Sequence, residues 1–386
     1  MKYFSIPADF KKETIDGFHR LNREYPDSRV IEVYGSVTAN NKLGTGRLSN
    51  YLGSIDMVDL YDYASYAAER DIEFNYTLNA SHLFNREFTE EGAAEIVSFL
   101  HKLHGGGIRA LTVALPSVME LARSTGLDFK IKASCICQIT NAIKAGAYKK
   151  MGAYRIVPDE SLNRDFTNLK RIQKAFGDGV EVIANQICDQ NCIYRMFHYN
   201  MVAGDPQGAV NEVSTNFYEQ RCLSQQLRSL DNLLKLSWIR PEDLHYYEAV
   251  GIRHFKLQGR HTFKYGGDPV RTAECYFKGS HDGNLMDLLT MFAQTTSFKV
   301  FIDNKKLEGF LRPFAEKENF CRRDCASCGY CLGFASRCMD TAETHELMDL
   351  AGCYLQELDR YRMLLETVNN QMPDAGSDEL SAEFDI

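Results

Sequence analysis

The stretch IRALTVALPSVMELARSTGLDFKIKASCICQITNAIKAGAYKKMGAYRIV (Ile108–Val157) decides the fold. Its runs Ile108–Ala114, Phe129–Ala133 and Tyr154–Val157 are short and apolar, as strands buried on both faces are. Ala142–Met151, between the last two, has helical length and pattern. Strand and helix in alternation predict parallel strands joined by crossovers. Working outward, Val30–Tyr34 and Ile72–Tyr76 read as strands before this stretch, and Val180–Ala184, Leu234–Trp238 and His254–Leu257 after it, which makes eight. Met57–Ala68, Glu90–Leu103 and a segment near Pro241–Val250 read as helices between them; Pro241, Glu242 and Asp243 suit the first turn of the last. Eight β–α units over roughly 250 residues predict an α/β fold, a TIM-like (β/α)8 barrel, with an open doubly wound sheet as the alternative. Gly105–Gly107 precedes a strand instead of following one, so it is a helix stop and not a phosphate loop.

The pattern changes past Phe298. The expected organisation is a barrel over 1–298, a Cys-rich metal-binding segment with a helix over 299–372, and a disordered acidic tail over 373–386. The helix would turn Leu347, Leu350, Ala351, Tyr354, Leu355, Leu358 and Tyr361 to one face, with Cys353 beside it in the core. Five acidic and no basic residues follow Pro373, a composition that stays solvated. A hydrophobic content of 44% over 386 residues is ample for a core. A net charge of −8 argues against nucleic acid as a partner without excluding it. The absence of a signal-like start or a run of about twenty apolar residues predicts a cytoplasmic protein with no membrane partner.

Twelve cysteines carry the chemistry. Cys321, Cys325, Cys328, Cys331 and Cys338 crowd one stretch, CRRDCASCGYC followed by Cys338. Cys325, Cys328 and Cys331 form C-x2-C-x2-C, a spacing that suits iron–sulfur ligation, with zinc as the alternative. Either Cys321 or Cys338 would complete four ligands. Cys188 and Cys192 lie four apart, one helical turn, and Cys222 follows thirty positions later. These three would share a metal centre where the barrel opens. Cys275, Cys135, Cys137 and Cys321 are candidates for a fourth ligand, and a cluster held by three thiolates would leave one iron open to substrate. Arg195 and His198 stand close by, either as donors to sulfur or as ordinary surface residues. The other polar residues just past strand ends include Asn79, Ser81, His82, Ser134, Asn141, Asp159, Glu160, Asn185, Gln258 and Arg260. Barrel active sites are built from such positions.

Ser134, Thr140, Asn141, Gly152, Ala153, Arg155 and Glu160, within Lys132–Asn163, together with Phe255, Lys256, Leu257, Gly259 and Arg260, resemble the strand-unit motifs of the collagenase-like peptidase family U32. The resemblance spans about Asp128–Lys264. It implies a barrel with a cysteine-bound 4Fe-4S cluster and oxygen-independent hydroxylation, known in the family for quinone precursors and RNA bases. The chain departs from common members in three places. Asn185–Gln186 replaces a His-Gly pair, the first two cysteines are spaced by three residues instead of six, and the C-terminal thiols are an addition. These departures point to a specialised biosynthetic or peptide-modifying branch.

The expectation is therefore an iron–sulfur enzyme performing hydroxylation or another redox modification of a biosynthetic, peptide or RNA substrate. One or two 4Fe-4S clusters would be its cofactors, with zinc the alternative at the C-terminal thiols. Arg260 would grip an anionic group, and Ser134, Asn141 and Asn79 would line the pocket. An electron donor or paired protein would be its partner. The alternatives are a metal- or cysteine-dependent peptidase, using His198 or His82 beside Cys188 or Cys135, and a non-catalytic iron–sulfur scaffold or electron-transfer partner.

Overall fold

The computed structural model describes residues 1–39, 41–46, 53–204, 217–294, 299–357 and 360–371. Eight parallel strands line a barrel: β1 (Lys2–Pro7), β2 (Ser28–Gly35), β3 (Glu73–Leu78), β4 (Ala110–Val113), β5 (Lys130–Ala133), β6 (Arg155–Ile156), β7 (Glu181–Ile183) and β8 (His254–Lys256). Their order is β6-β5-β4-β3-β2-β1-β8-β7. A parallel bridge from Ile156 to Val180 joins the two ends, with the Ile156 amide 2.9 Å from the Gly179 carbonyl. The TIM-like (β/α)8 barrel expected from the alternation is the observed fold.

One strand was missed and one expected strand is not a strand. β1, at the extreme N-terminus, was not anticipated, although Tyr3 and Ser5 alternate with Phe4 and Ile6 at the period of a strand. Leu234–Trp238 is not a strand. Leu230–Lys235 forms a 3-10 turn, and the chain beyond it runs extended beside the exit of β7. There the Ile239 amide bonds to the Ala184 carbonyl at 2.7 Å, and Asn163 donates to the Ile183 and Ser237 carbonyls. Its apolar residues Leu233, Leu234, Leu236 and Trp238 are buried, and Trp238 packs on Phe310 from the C-terminal segment. An apolar run reports burial, and many backbone conformations can bury it.

Helices α1 (Lys12–Glu24), α2 (Met57–Ala68), α3 (Glu90–Gly105), α4 (Pro116–Ser124), α5 (Ala142–Lys150) and α6 (Phe166–Phe176) follow β1 to β6 in turn. The long connection after β7 holds α7 (Arg195–Ala203), α8 (Phe217–Gln226) and α9 (Leu244–Ala249), and α10 (Pro269–Lys278) follows β8. Gly106 and Gly107 end α3, the latter at φ +87°, which bears out the helix stop. Beyond them lie α11 (Leu285–Leu289), α12 (Arg312–Glu316), α13 (Tyr330–Cys338), α14 (Thr341–Glu357) and α15 (Arg360–Gln371). The segment after 299 shares one hydrophobic cluster with the barrel through Val300, Phe310, Phe314, Phe334 and Met348. Among the described side chains of α14, Thr344, Met348 and Ala351 are buried, Leu347 is half-buried, and Leu350 and Cys353 are exposed. Of the anticipated stripe, Ala351 is therefore buried and Leu350 is not, Tyr354, Leu355, Leu358 and Tyr361 lie outside the described side chains, and Cys353 is not core. The tail over 373–386 lies outside the described residues.

Alternation along the strands sends apolar side chains outward to the helices and polar ones inward. Lys132 of β5 sits on the barrel axis with no exposed side-chain surface. Its Nζ pairs with Glu32 of β2, with Glu181 of β7 at 2.9 Å, and with the Ser5 hydroxyl of β1 at 3.1 Å. Arg155 of β6 lies 3.3 Å from Glu181, Asn75 of β3 donates to Glu32, and Thr112 of β4 donates to Asn75. Lys256 of β8 lies over the Tyr34 ring at 3.9 Å. Every strand thus contributes a polar side chain to a lumen that TIM barrels more often fill with branched apolar residues. The cations beside Glu181, Lys132 foremost, outweigh the opposing effect of burial and hold its carboxyl down to about 2.

Two outcomes follow from this lumen. Lys132→Met leaves two buried carboxylates to share Arg155, 3.3 Å from Glu181 and 3.7 Å from Glu32, and urea unfolding should read a loss of about 3–5 kcal/mol. His254, stacked on Tyr3 at 4.9 Å, is held down to about 4 by burial and then by Arg155. Its folded value lies below the unfolded 6.5, so stability present above pH 6.5 drains as pH falls toward about 4. His254→Phe keeps the stack and removes the proton, so its stability–pH slope in that window should be shallower by up to about 1.4 kcal/mol per unit.

Candidate active site and thiol groups at the barrel mouth

The C-terminal ends of the strands open beneath α7, which is laid across the loops after β3, β5 and β6. Arg195, on its first turn, is buried and donates from Nη1 to Asp159 Oδ1 at 2.7 Å and to Ser161 Oγ at 2.8 Å. Its Nη2 meets the Asp189 carbonyl. Arg195 is therefore a buried anchor and not a surface residue. Tyr199, one turn on, donates to Glu160 Oε1 at 2.9 Å and lies 4.0 Å from Cys135 Sγ. Asn200 receives the Ser81 hydroxyl at 2.7 Å and meets His82 Nε2 at 3.1 Å through its carbonyl.

Glu160 is the buried carboxyl of this site. Its Oε1 accepts from Tyr199 and from Gln186 Nε2 at 3.1 Å, while Oε2 has no hydrogen-bond partner among the described residues. Burial raises its pKa, with Arg195 pulling the other way and Asp159 adding to the rise. Lys256 is lowered to about 8, by burial and then by Lys132. Cys135 is pushed up to about 12, by burial and then by Glu160. This part of the mouth keeps carboxyl and thiol protons and weakens its amine's hold on one.

The loop after β7 carries Cys188 and Cys192, and α8 brings Cys222 toward them. Burial raises the Cys222 thiol, and Cys188, Asp189 and Cys192 add to the rise in that order. Amide hydrogens reach two of the three sulfurs: Gln186 Nε2 lies 3.0 Å from Cys188 Sγ, and Gln226 Nε2 lies 3.2 Å from Cys222 Sγ. Among the described residues no three His, Cys, Asp or Glu side chains form a ready metal site. The thiols gather without closing on a common point. Their donor chemistry nevertheless suits a metal, because N–H···S bonds favour the thiolate that ligates. Of the other candidate ligands, Cys137 Sγ lies 3.2 Å from the Ala114 carbonyl, and Cys275 is on α10.

Arg260 follows β8 and is buried. Its Nη1 donates to the hydroxyls of Thr45 at 3.1 Å and Thr77 at 3.2 Å, and reaches that of Ser36 at 3.5 Å. Asn79 joins this group, accepting from Thr45 and from the Gly46 amide at 3.1 Å. A cavity of about 350 Å³ opens beside it, lined by Asp9, Ser36, Thr38, Arg260 and Lys264 among others. Ser134 and Asn141 are placed differently. Ser134 accepts from the Ile136 amide at the start of a 3-10 turn, and Asn141 caps α5 by accepting from the Lys144 amide at 3.0 Å. Asn185, standing where a His-Gly pair was expected, splices β7 to β8 by exchanging 2.7 Å bonds with the backbone of Gln258.

The C-terminal thiols lie against the same face. Arg323, between Cys321 and Cys325, donates to Asn191, between Cys188 and Cys192, at 3.1 Å. Cys321, Cys325 and Cys328 are exposed, and Cys331 is partly buried on the first turn of α13. Cys338 closes that helix and is buried, with its sulfur 3.8 Å from the Ala335 carbonyl. Cys338 lies seven positions after Cys331, a rise of about 10 Å along the axis, more than one zinc ion with ~2.3 Å bonds spans.

Fold and site together define a TIM-barrel protein with a thiol-bearing mouth covered by a helix from the β7 loop. Residues 47–265 match Peptidase family U32, and the chain belongs to that family. It is 26% identical over 344 residues to the protein named Uncharacterized protease MJ1657 of Methanocaldococcus jannaschii, covering 87% of this chain and 98% of that one. Among solved structures, the U32 peptidase Mk0906 superposes with a TM-score of 0.49 at 17% identity, over 67% of this chain and 93% of its own. Thiamine phosphate pyrophosphorylase of Pyrococcus furiosus does so with a TM-score of 0.34 at 10% identity, over 72% of this chain and 93% of its own.

The sequence reading named neither Tyr199, nor the amide donors Gln186 and Gln226, nor the weakened Lys256 as functional groups. Only the motif around Phe255–Arg260 marked the last. The cap on α5 separates two roles for Asn141. Asn141→Ala should lower stability by about 1 kcal/mol in urea unfolding, with substrate affinity unchanged if capping is its whole role.

Proposed function

We propose that this U32 protein is an iron–sulfur enzyme that modifies an anionic substrate by redox chemistry without molecular oxygen, hydroxylation being the favoured type. The observation that carries the reading is the pair of side-chain amides donating to Cys188 and Cys222. Cys188, Cys192 and Cys222 would hold a 4Fe-4S cluster at the mouth. Cys321, Cys325, Cys328 and Cys331 would hold a second centre, a cluster or zinc. Such a cluster, when bound, supplies one-electron transfer. An electron donor, small or protein, is the partner this requires.

The chain's own residues divide the remaining tasks. Arg260 and Lys264 offer cationic anchors at the cavity beside β1 and β2, which suits a carboxylate or phosphate on a small molecule, peptide or RNA base. Glu160 keeps its proton to higher pH than an ordinary carboxyl and has an oxygen without a partner among the described residues, so it is the candidate acid. Tyr199 and Gln186 orient its other oxygen. Helix α7, pinned by Arg195, covers these groups and limits water.

Purified without oxygen, the chain should contain iron and acid-labile sulfide in matched amounts, with broad absorption near about 400 nm. Cys188→Ala or Cys222→Ala should lower both. Variants that keep full iron, sulfide and turnover would remove the reading.

The relative named as a protease supports a second reading, a peptidase. A cysteine peptidase needs a thiol paired with a base. Cys135 instead meets Tyr199, and its thiol stays protonated up to about 12. A Cys–His contact, Cys275 Sγ to His281 Nδ1 at 3.9 Å, joins α10 to the turn that follows it. Peptide cleavage by iron-free, zinc-loaded protein, lost in Cys275→Ser or Cys135→Ser, would favour this second reading.

A further inference from the structure

Lys256, on β8, carries an amine that no acid holds. Side chains on a strand alternate between its two faces. Phe255 turns outward, edge-on to Tyr247 of α9, so Lys256 turns into the lumen. The two carboxylates there are already committed. Glu32 and Glu181 both pair with Lys132, and Arg155 lies within 3.7 Å of each. Lys256 instead lays its Nζ over the ring of Tyr34, 3.9 Å from the centroid, two residues beyond Glu32 on β2. Tyr34 donates to the Leu257 carbonyl at 2.7 Å, which fixes that ring. Among the described residues Lys256 makes neither an ion pair nor a side-chain hydrogen bond.

The strand ends that seat this amine also build the cavity beside Arg260. Gly35 and Ser36 follow Tyr34 directly, Arg260 comes four residues after Lys256, and all three line that space of about 350 Å³. An aromatic face attracts a cation, but it replaces neither lost water nor a carboxylate. Burial, and then Lys132 in the layer below, bring the Lys256 pKa from the ordinary 10.5 down to about 8. A neutral primary amine is the nucleophile that condenses with carbonyl compounds, and burial without a counter-ion is how a lysine is prepared for it.

We propose that Lys256 captures an aldehyde or ketone as an imine, and that this compound carries a carboxylate or phosphate received by Arg260. The amine nitrogen attacks the carbonyl carbon, so a C–N bond forms while the C=O electron pair moves to oxygen. The C–O bond then breaks, and the oxygen leaves as water with the two hydrogens of the amine. No oxidant or reductant is consumed. Once protonated, the imine draws electrons from the neighbouring carbons, so it both anchors and activates the substrate. This role rests on the reading above only for the grip of Arg260 on an anion, and on nothing about the thiols.

The test uses the full-length chain near neutral pH with sodium cyanoborohydride, which reduces an imine to a stable amine. The probes are pyruvate as a carboxylate-bearing ketone, dihydroxyacetone phosphate as a phosphorylated one, and acetone as the uncharged control. Peptide mapping should place the adduct on Lys256, formed about 10-fold or more faster than on any other lysine, because ordinary lysines stay protonated. An anionic probe should label Lys256 about 10-fold faster than acetone, a preference that Arg260→Gln loses; the faster of the two names the anion. Lys256→Arg keeps the cation and should abolish the adduct. Should either variant fail to fold, the map and the three rates on the unaltered chain still decide. Adducts on surface lysines with Lys256 unlabelled would overturn the imine. Equal labelling of Lys256 by all three probes would overturn the anionic substrate class. The readout needs no cluster, so a chain purified without iron answers it as well. An adduct on Lys256 in a chain that never binds iron would sink the iron–sulfur reading and leave this one standing, and a cluster-loaded chain without the adduct would do the reverse.

Discussion

One lysine holds the barrel's axis together. Lys132 reaches Glu32, Glu181 and Ser5 on strands that are not its neighbours in the sheet, so these bonds cross the lumen. Each charged partner taken alone would be costly to bury, and together they are tolerable because every one has an opposite charge or a donor at hydrogen-bond distance. Removing either carboxylate or Lys132 unbalances the rest, with Arg155 left to share the load. The network also sets the register of the sheet, because a slip of one residue would turn these groups out among the apolar helix faces.

From that charged lumen the polarity continues upward to the mouth. Burial and then Lys132 loosen the hold of Lys256 on its proton, while Glu181 and Cys135 favour it. Above them Arg195 gathers Asp159, Ser161 and the Asp189 carbonyl. A single cation thus fastens the β6 loop, the β7 loop and α7. Rigid support of this kind is what lets a site hold Glu160 with one oxygen committed and the other open. The thiols of Cys188, Cys192 and Cys222 share the same loops, so whatever they bind sits on a frame already fixed by Arg195.

Several features were legible from residue pattern. The eight β–α units were counted correctly in total, and Met57–Ala68 was located to the residue. The count succeeded through two compensating misplacements, since KYFSIP was passed over and Leu234–Trp238 was taken as a strand. The first was missed because a half-polar strand lacks the continuous apolar run that marks its neighbours. The second was over-read because Leu234, Leu236 and Trp238 are buried by the C-terminal segment, far away in sequence. The same cause left Leu350 of α14 exposed while Ala351 is buried, because that helix packs on α8 and the Leu230–Lys235 turn.

The sequence alone determined the alternation, and with it the barrel, because helix and strand periods are local properties of neighbouring residues. It also marked the thiols and the Arg260 motif, since spacing of two to four residues constrains what one ion or one turn can hold. Tertiary structure decided which groups share an environment. It put Asn141 on a helix cap, Cys338 away from Cys331, Arg323 against the β7 loop, and Arg164 among aromatic rings with two nitrogens unpaired. The Arg323 and Arg164 placements join residues 74 to 150 positions apart. Packing of the whole chain sets them, and no local pattern encodes the burial or the missing partner that gives each its chemistry.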